Sequence, residues 1–233
     1  MKTIFSIALI FSLSLANASD ISEVMEKMRT VYKSKTLSFN STYSLFKGHF
    51  NNEIHSSYTG KVYKDEEGTY QRIENTEFIY GKEFTLKISH DEKAMVISNA
   101  QEVLFGNVDF EMAMKECRSK KIIEKEGEYH IIFHMNATSL VPFTTLTLKI
   151  DQSNYTLLQL DLYYSAQEDF SKKFEMRDLK QPHLQIKFSD INFNPNKKDE
   201  LLQQSSYLTT TNSVLTTTGK YEGYELIDYR NKQ

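Results

Sequence analysis

The chain carries a single cysteine, Cys117, so no internal disulfide is available and the folded state has to rest on packing alone. Tryptophan is absent, proline occurs 3 times and glycine 8 times in 233 residues, a scarcity that excludes collagenous, Pro-rich and Gly-rich linker sequence. Neither charge sign dominates. With 28 Lys and Arg against 31 Asp and Glu, the clustered cationic surface that phosphate neutralisation requires is missing, and nucleic acid is excluded as a partner class. No apolar run approaches the roughly 20 residues that span a bilayer. The common catalytic signatures are missing too: there is no Gly-x-Ser-x-Gly elbow, Gly-x-Gly-x-x-Gly turn, phosphate-binding Gly-Lys-Ser/Thr loop or His-Glu-x-x-His zinc helix. What is present is an apolar fraction of 39% with 14 Tyr and 15 Phe, a mix that suits a packed core and favours β-strands.

The first segment has a basic start at Lys2, a short apolar run to Leu15 and the small-x-small site Ala16-Asn17-Ala18, the pattern of a cleaved export signal over 1–18. Losing Lys2 with it takes the net charge from −3 to −4. Cys117 does not follow the cleavage site, as a lipidated cysteine would. Beyond the signal, Asp20-Ile-Ser-Glu23 reads as a capping box, and Ile21, Val24, Met25, Met28, Val31 and Tyr32 recur at helical spacing. From Thr36 the period changes to two, with Leu37, Phe39, Tyr43 and Leu45 on one side and Ser38, Asn40, Thr42 and Ser44 on the other. Further strands are expected at 55–64, 69–73, 77–80, 83–89 and 94–98, joined by short polar turns as in an antiparallel meander. A short helix is expected at about 109–118. Strand patterning resumes at 122–125, 128–135, 144–151, 155–164 and 184–192, for a total of about eleven strands. The chain is expected to hold one folded unit over 19–208, followed over 209–233 by a Thr-rich linker and a tail that either adds a strand or is mobile.

No catalytic set assembles from this pattern. His130 and His134 have a helical metal-ligand spacing, but they fall in alternating sequence, where four residues span roughly 13 Å and the two rings cannot easily share an ion. The pairs Glu66-Glu67 and Asp91-Glu92 sit in expected turns, where solvated carboxylates are ordinary. Glu116 disfavours a thiolate at Cys117, which reads as a structural cysteine. No metal, cofactor or enzymatic activity is expected. The informative feature is the aromatic excess on two-period strands, at Phe39, Tyr43, Tyr58, Tyr70, Phe78, Tyr80, Phe84, Phe133, Tyr163 and Phe188. It fits an ordinary core as well as a binding surface.

Several segments, taken in order, resemble the periplasmic lipoprotein carriers of gram-negative bacteria, the LolA/LolB-like family. After the signal come Met25-Glu-Lys-Met-Arg on the helix and Leu37-Ser-Phe on the first strand. Gly60-Lys-Val-Tyr-Lys64 is similar to the family's Gly-x-hydrophobic strand, and Phe78-Ile-Tyr-Gly81-Lys82-Glu-Phe84 to its Asp-Gly-Lys-x-hydrophobic hairpin. Phe188-Ser-Asp-Ile-Asn-Phe-Asn-Pro195 resembles the strand leading to its Phe-x-x-Pro-like close. The resemblance implies an α+β fold, a curved antiparallel sheet forming an unclosed β-barrel with helices covering a concave apolar face. On that face it implies acyl-chain binding by Leu37, Phe39, Tyr43, Leu45, Val62, Tyr70, Phe78, Phe84 and Leu86, under a helical lid carrying Val24, Met25 and Met28. Exposing an acyl chain to water costs about 0.8 kcal/mol per CH₂, so a carrier crossing an aqueous compartment needs such a cavity. The implied partners are lipoproteins or other acylated lipids, an inner-membrane lipoprotein-releasing transporter and an outer-membrane acceptor. The sequence departs from the family at the polar turn, where Asp65-Glu-Glu-Gly68 stands with Lys64 before it and Arg72 after it in place of the family's arginine, and in lacking the family's tryptophans. A periplasmic lipid-binding sensor on the same fold therefore stands beside the carrier as a reading, and a hydrolase on an unfamiliar β scaffold ranks third.

Overall fold

The computed structural model describes residues 20–34, 36–50, 52–101, 110–171, 176–212 and 214–230. The expected export signal at 1–18 lies outside the described residues, as does the first residue of the expected helix at 109–118. Helix α1 (Ile21–Tyr32) starts where Asp20 accepts a hydrogen bond from the Ser22 N–H at 2.9 Å, satisfying one of the orphan donors of a first turn. Only half of the expected capping box forms, because the Glu23 carboxylate turns to Lys27 one helical turn on, at 2.7 Å. The apolar spacing puts Ile21, Val24, Met25, Met28 and Tyr32 on one buried face.

Six strands then run as a meander: β1 (Leu37–Phe46), β2 (Ile54–Asp65), β3 (Gly68–Ile73), β4 (Thr76–Gly81), β5 (Phe84–Ser89) and β6 (Ala94–Asn99). The turn into β3 requires glycine. Gly68 has φ +152° and lies so close to Tyr80 that a Cβ would collide with that residue's carbonyl oxygen. After α2 (Phe110–Glu116) come β7 (Cys117–Lys125), β8 (Glu128–Met135), β9 (Phe143–Asp151), β10 (Leu157–Tyr164), the two-residue strands β11 (Glu168–Asp169) and β12 (Leu179–Lys180), and β13 (His183–Asn192). The last part of the chain forms 3₁₀ turns, the ribbon β14 (Leu208–Thr211) with β15 (Val214–Thr217), and β16 (Glu225–Asp228).

Twelve strands make one curved sheet in the order β16-β6-β5-β4-β3-β2-β1-β13-β10-β9-β8-β7, open at both ends, so the sheet is an unclosed half-barrel. Every pairing is antiparallel except β16 on β6, where Glu225 lies opposite Ala94 and Asp228 opposite Ile97. This parallel addition by the tail raises the count above the expected eleven. A second difference lies at α2, which ends at Glu116 while β7 begins at Cys117, ahead of the strand expected from 122. Arg118, Lys120 and Lys121 hide the alternation there, and they stand on an edge strand, where exposed cations deter pairing with another chain.

The two faces of this sheet are covered over different strands. On the inner face, α1 packs with Leu37, Phe39, Ile131, Phe133, Leu146, Leu148, Leu160 and Ile186. The outer-face cluster lies on β2 to β6, where Tyr63, Tyr70, Ile79, Phe84, Leu86, Ile88, Met95 and Ile97 pack against Leu202, Tyr207, Leu208 and Tyr221 from the C-terminal segment. The inner cluster seals α1 onto one half of the sheet and reaches β2 at Val62, while no inner-face residue of β3 to β6 belongs to either cluster.

Candidate functional site

Strand pairing fixes which side chains share a face, because residues directly opposite one another in a ladder point the same way. Starting from Phe39 on β1, the register runs to Val62, Gln71, Phe78, Lys87 and Val96 on successive strands. That inner-face row crosses five strand spacings, roughly 24 Å along the sheet. A neighbouring row carries hydroxyls and a cation, from Lys64 through Thr69, Tyr80 and Thr85 to Ser98. Val62, Phe78, Tyr80 and Val96 are half-buried, and Phe78, Tyr80 and Val96 belong to neither core cluster. The rings of Phe78 and Tyr80 lie parallel at 6.3 Å, and burial raises the Tyr80 phenol above its ordinary pKa, keeping it a neutral donor. The hydroxyl row opens into a cavity of about 640 Å³ between the end of α1 and the strand turns, lined by Tyr32, Lys33, Lys64, Thr69, Tyr80 and Gln101 among others. Apolar side chains at Val62, Phe78 and Val96, with Gln71 and the exposed Lys87 set between them, therefore run beside a polar strip that leads to a charged mouth, an arrangement matched to an amphiphile.

The twelve residues named from the sequence do not all meet here. Leu37, Phe39, Tyr43, Leu45, Val62 and Phe78 fall on the inner face, with Leu37 and Phe39 buried in the core and Phe39 edge-on to Phe188 at 5.6 Å. Tyr43, half-buried, accepts a hydrogen bond from Gln71 at 3.2 Å. Tyr70, Phe84 and Leu86 point to the opposite face, under the C-terminal segment. The physical reason is parity: Tyr70 pairs with Tyr63 and Ile79, and Leu86 with Ile79 and Ile97, so this set alternates with Val62, Phe78 and Val96. Val24, Met25 and Met28 form a single face of α1 that is almost wholly buried against the other half of the sheet. Gln71, Lys87 and Val96 are inner-face residues that sequence reasoning missed and that follow only from register, whereas Tyr80, named among the strand aromatics but not in the acyl-binding set, joins Phe78 by simple alternation.

The end of α1 is pinned beside this site. The Leu157 N–H donates to the Tyr32 hydroxyl at 3.0 Å, and burial pushes that phenol up to about 12. Lys64 donates to the Tyr32 carbonyl at 3.4 Å. The histidines seen in the sequence serve elsewhere: His130 contacts Glu128 at 2.8 Å and His134 contacts Thr145 at 3.2 Å, both from β8. The Cys117 thiol donates to the Met114 carbonyl at the α2–β7 junction. Among the described residues, no group of three or more His, Cys, Asp and Glu is placed to hold a metal ion.

Two buried ionic clusters occupy the outer face. Glu77 accepts from the Tyr70 hydroxyl at 3.1 Å and the Tyr221 hydroxyl at 3.2 Å, contacts His90 at 2.6 Å, and has the Lys220 ammonium at 3.6 Å. Asp161 contacts His183 at 2.9 Å and accepts from Gln159 and Gln185, while the His183 ring is stacked between Phe46 and Tyr163. These clusters are closed on themselves and face away from the amphipathic band.

No protein-family model matches the chain, and no curated protein matches its sequence. Solved structures do. A conserved protein from Thermus thermophilus is similar with a TM-score of 0.47 at 7% identity, over 89% of this chain and 98% of that one. Lipoprotein LppX of Mycobacterium tuberculosis is similar with a TM-score of 0.37 at 12% identity, over 77% of this chain and all (100%) of that one. The superfamily that the sequence resembles is also represented, by a LolA superfamily protein from Nitrosomonas europaea with a TM-score of 0.38 at 12% identity, over 81% of this chain and 100% of that one.

Proposed function

We propose that the chain is an extracytoplasmic binding protein for acylated amphiphiles, exported by the signal at 1–18, with the half-barrel, residues 19–208 together with the edge strand β16, as its binding unit. The inner face of β2 to β6 is the binding surface. Its carrying observation is that Val62, Phe78 and Val96, interspersed with Gln71 and Lys87, lie beside the strip Lys64, Thr69, Tyr80 and Thr85, and that Phe78, Tyr80 and Val96 are half-buried yet belong to neither core cluster. An acyl chain along the band buries its methylenes, at about 0.8 kcal/mol each, while its head group stays at the polar mouth. Leu37 and Phe39 act as the floor where the band meets the core, with Tyr43 and Leu45 farther along β1. The carrier role follows if the bound lipid or lipoprotein is passed on between an inner-membrane transporter and an outer-membrane acceptor in the periplasm.

The test is mass spectrometry under native conditions on the mature protein from its own compartment, followed by solvent extraction. An acylated molecule is expected to co-purify. Phe78→Glu and Val62→Glu place a carboxylate against the acyl chain and are expected to weaken lipid binding by about 2–3 kcal/mol, near a hundred-fold, with the fold intact. A protein that is folded, empty and unable to take up a fluorescent fatty acid overturns the reading. Transfer of the bound lipid to acceptor vesicles marks a carrier, and a complex that never releases it marks a sensor.

A further inference from the structure

The strands β1, β8 and β10 end, and β2, β9 and β13 begin, at one end of the sheet, so the described residues of three connections, 47–50 with 52–53, 136–142, and 165–171 with 176–182, gather there. They are tied to one another. The His49 ring contacts the Tyr164 carbonyl at 2.9 Å, the Ser165 N–H and hydroxyl both donate to the Pro142 carbonyl, and the His55 ring lies edge-on to Phe170 at 4.8 Å. Each loop nevertheless holds one large apolar side chain clear of the protein: Phe50 is fully exposed, Leu140 is 91% exposed and Met176 is 93% exposed. Ile54 and Leu179, about half exposed, stand near the loop bases. Such a set is costly in water and far from the single, scattered apolar residues of an ordinary surface.

We propose that this loop end docks on a lipid bilayer, with Phe50, Leu140 and Met176 inserting into its interfacial region. Two observations favour a bilayer over a folded partner. The three exposed side chains come from three separate loops, and a fluid interface accepts separate tips without matching their shape. The charge carried by these stretches of sequence is balanced, with Lys47, Lys172, Lys173, Arg177 and Lys180 against Glu53, Glu168, Asp169, Glu175 and Asp178, and two of the cations are engaged within the loops, Lys47 with Glu53 at 2.8 Å and Lys180 with Asp178 at 3.2 Å. Attraction to the surface therefore comes from apolar insertion and does not depend on anionic head groups.

The experiment is flotation of the mature chain with vesicles of phosphatidylcholine, and with an equimolar mixture of phosphatidylcholine and phosphatidylglycerol, at low and high salt. The wild-type protein is expected to float with both, with little effect of salt. Phe50→Ser, Leu140→Ser and Met176→Ser are each expected to lower the partition coefficient about ten-fold, and the triple variant to stay at the bottom of the gradient with an unchanged melting temperature. A wild-type protein that does not float, a triple variant that floats as well as the wild type, or binding that requires phosphatidylglycerol and vanishes with salt overturns the proposal. So does a wild-type dimer that the triple variant converts to monomer without any vesicle binding, which would assign the patch to a second copy of the chain. The docking surface and the acyl-binding face fail separately: the triple variant is expected to retain its co-purified lipid, and Phe78→Glu to retain flotation.

Discussion

Glu77 sits on the sheet with its side chain only 2% exposed, and it remains ionised because its neighbours outweigh burial. Burial by itself raises the Glu77 carboxyl, but the hydrogen bonds from His90 and Tyr70 and the Lys220 ammonium more than reverse that, and the net shift is downward from the ordinary 4.5. Asp161 follows the same balance. Burial raises it, while His183, Gln159 and Gln185 bring it below its ordinary 3.8. A carboxyl depressed in the folded state contributes stability that is complete above its unfolded value and is lost as the pH falls through the lower folded value. The chain is therefore expected to hold its stability down to about pH 4 and to lose it steeply below. Glu77→Gln is expected to cost about 3 kcal/mol at neutral pH, by breaking a buried charged network, and to flatten the acid limb. Urea unfolding at a series of pH values checks both; a variant with the wild-type acid slope would show that Glu77 is not one of the groups titrating there. The same site shows why sequence reading ran short at this scale. Glu77, His90 and Tyr221 are far apart in the chain and look like ordinary polar or aromatic residues until the C-terminal segment brings Tyr221 and Lys220 onto β4.

At the scale of the element, the sequence was legible wherever one period dominated. The face of α1, the alternation of β1 and the meander turns are all visible in the spacing of apolar and turn residues. Face assignment on β2 to β6 was not legible, because both faces there carry large apolar residues: on β4, Phe78 and Tyr80 point inward while Ile79 points outward, and nothing in the strand's own sequence says which set meets the core. The covering segment decides it, and its Thr-rich stretch has no apolar period of its own. The distinction between core and binding face makes a paired prediction. Met28, 1% exposed at the heart of the inner cluster, is expected to cost about 2–5 kcal/mol on replacement by alanine. Phe78, half-buried and outside both clusters, is expected to cost about 1 kcal/mol or less on replacement by serine while lipid affinity falls. Thermal melts of the lipid-free variants check the pair. Equal losses at the two positions would make Phe78 a core residue and remove the apolar band from the site.

The whole molecule is a sheet with two unlike covers, and the division of labour follows from them. α1 is bound into a core that reaches across β1, β13 and β8 to β10, whereas the outer face of β2 to β6 depends on a segment that arrives last in the chain. Residues 199–230 supply Leu202, Tyr207, Leu208 and Tyr221 above Ile79, Leu86, Ile88, Met95 and Ile97, and they also supply β16 along the edge of β6. Lys198 donates its backbone N–H to the Tyr63 hydroxyl at 3.0 Å, fastening the segment where it leaves the sheet, and the Tyr207 hydroxyl donates to the Leu201 carbonyl at 2.8 Å. If the tail were a dispensable linker, a chain ending at Asn196 would keep its stability. Instead, truncation there opens a face whose five central side chains are fully buried in the intact protein, exposes the β6 edge, and leaves Glu77 without Tyr221 and Lys220. The expected outcome is a fall in melting temperature of more than about 10 °C, or loss to aggregation through the uncovered face and edge. Because the amphipathic band lies on the other side of the same strands, its geometry depends on this outer packing to hold β2 to β6 flat against their neighbours. Truncation is therefore expected to abolish lipid uptake together with stability. A truncated chain that melts within a few degrees of the intact one and still binds a fluorescent fatty acid would show that the inner face is organised by α1 and the β-ladder alone.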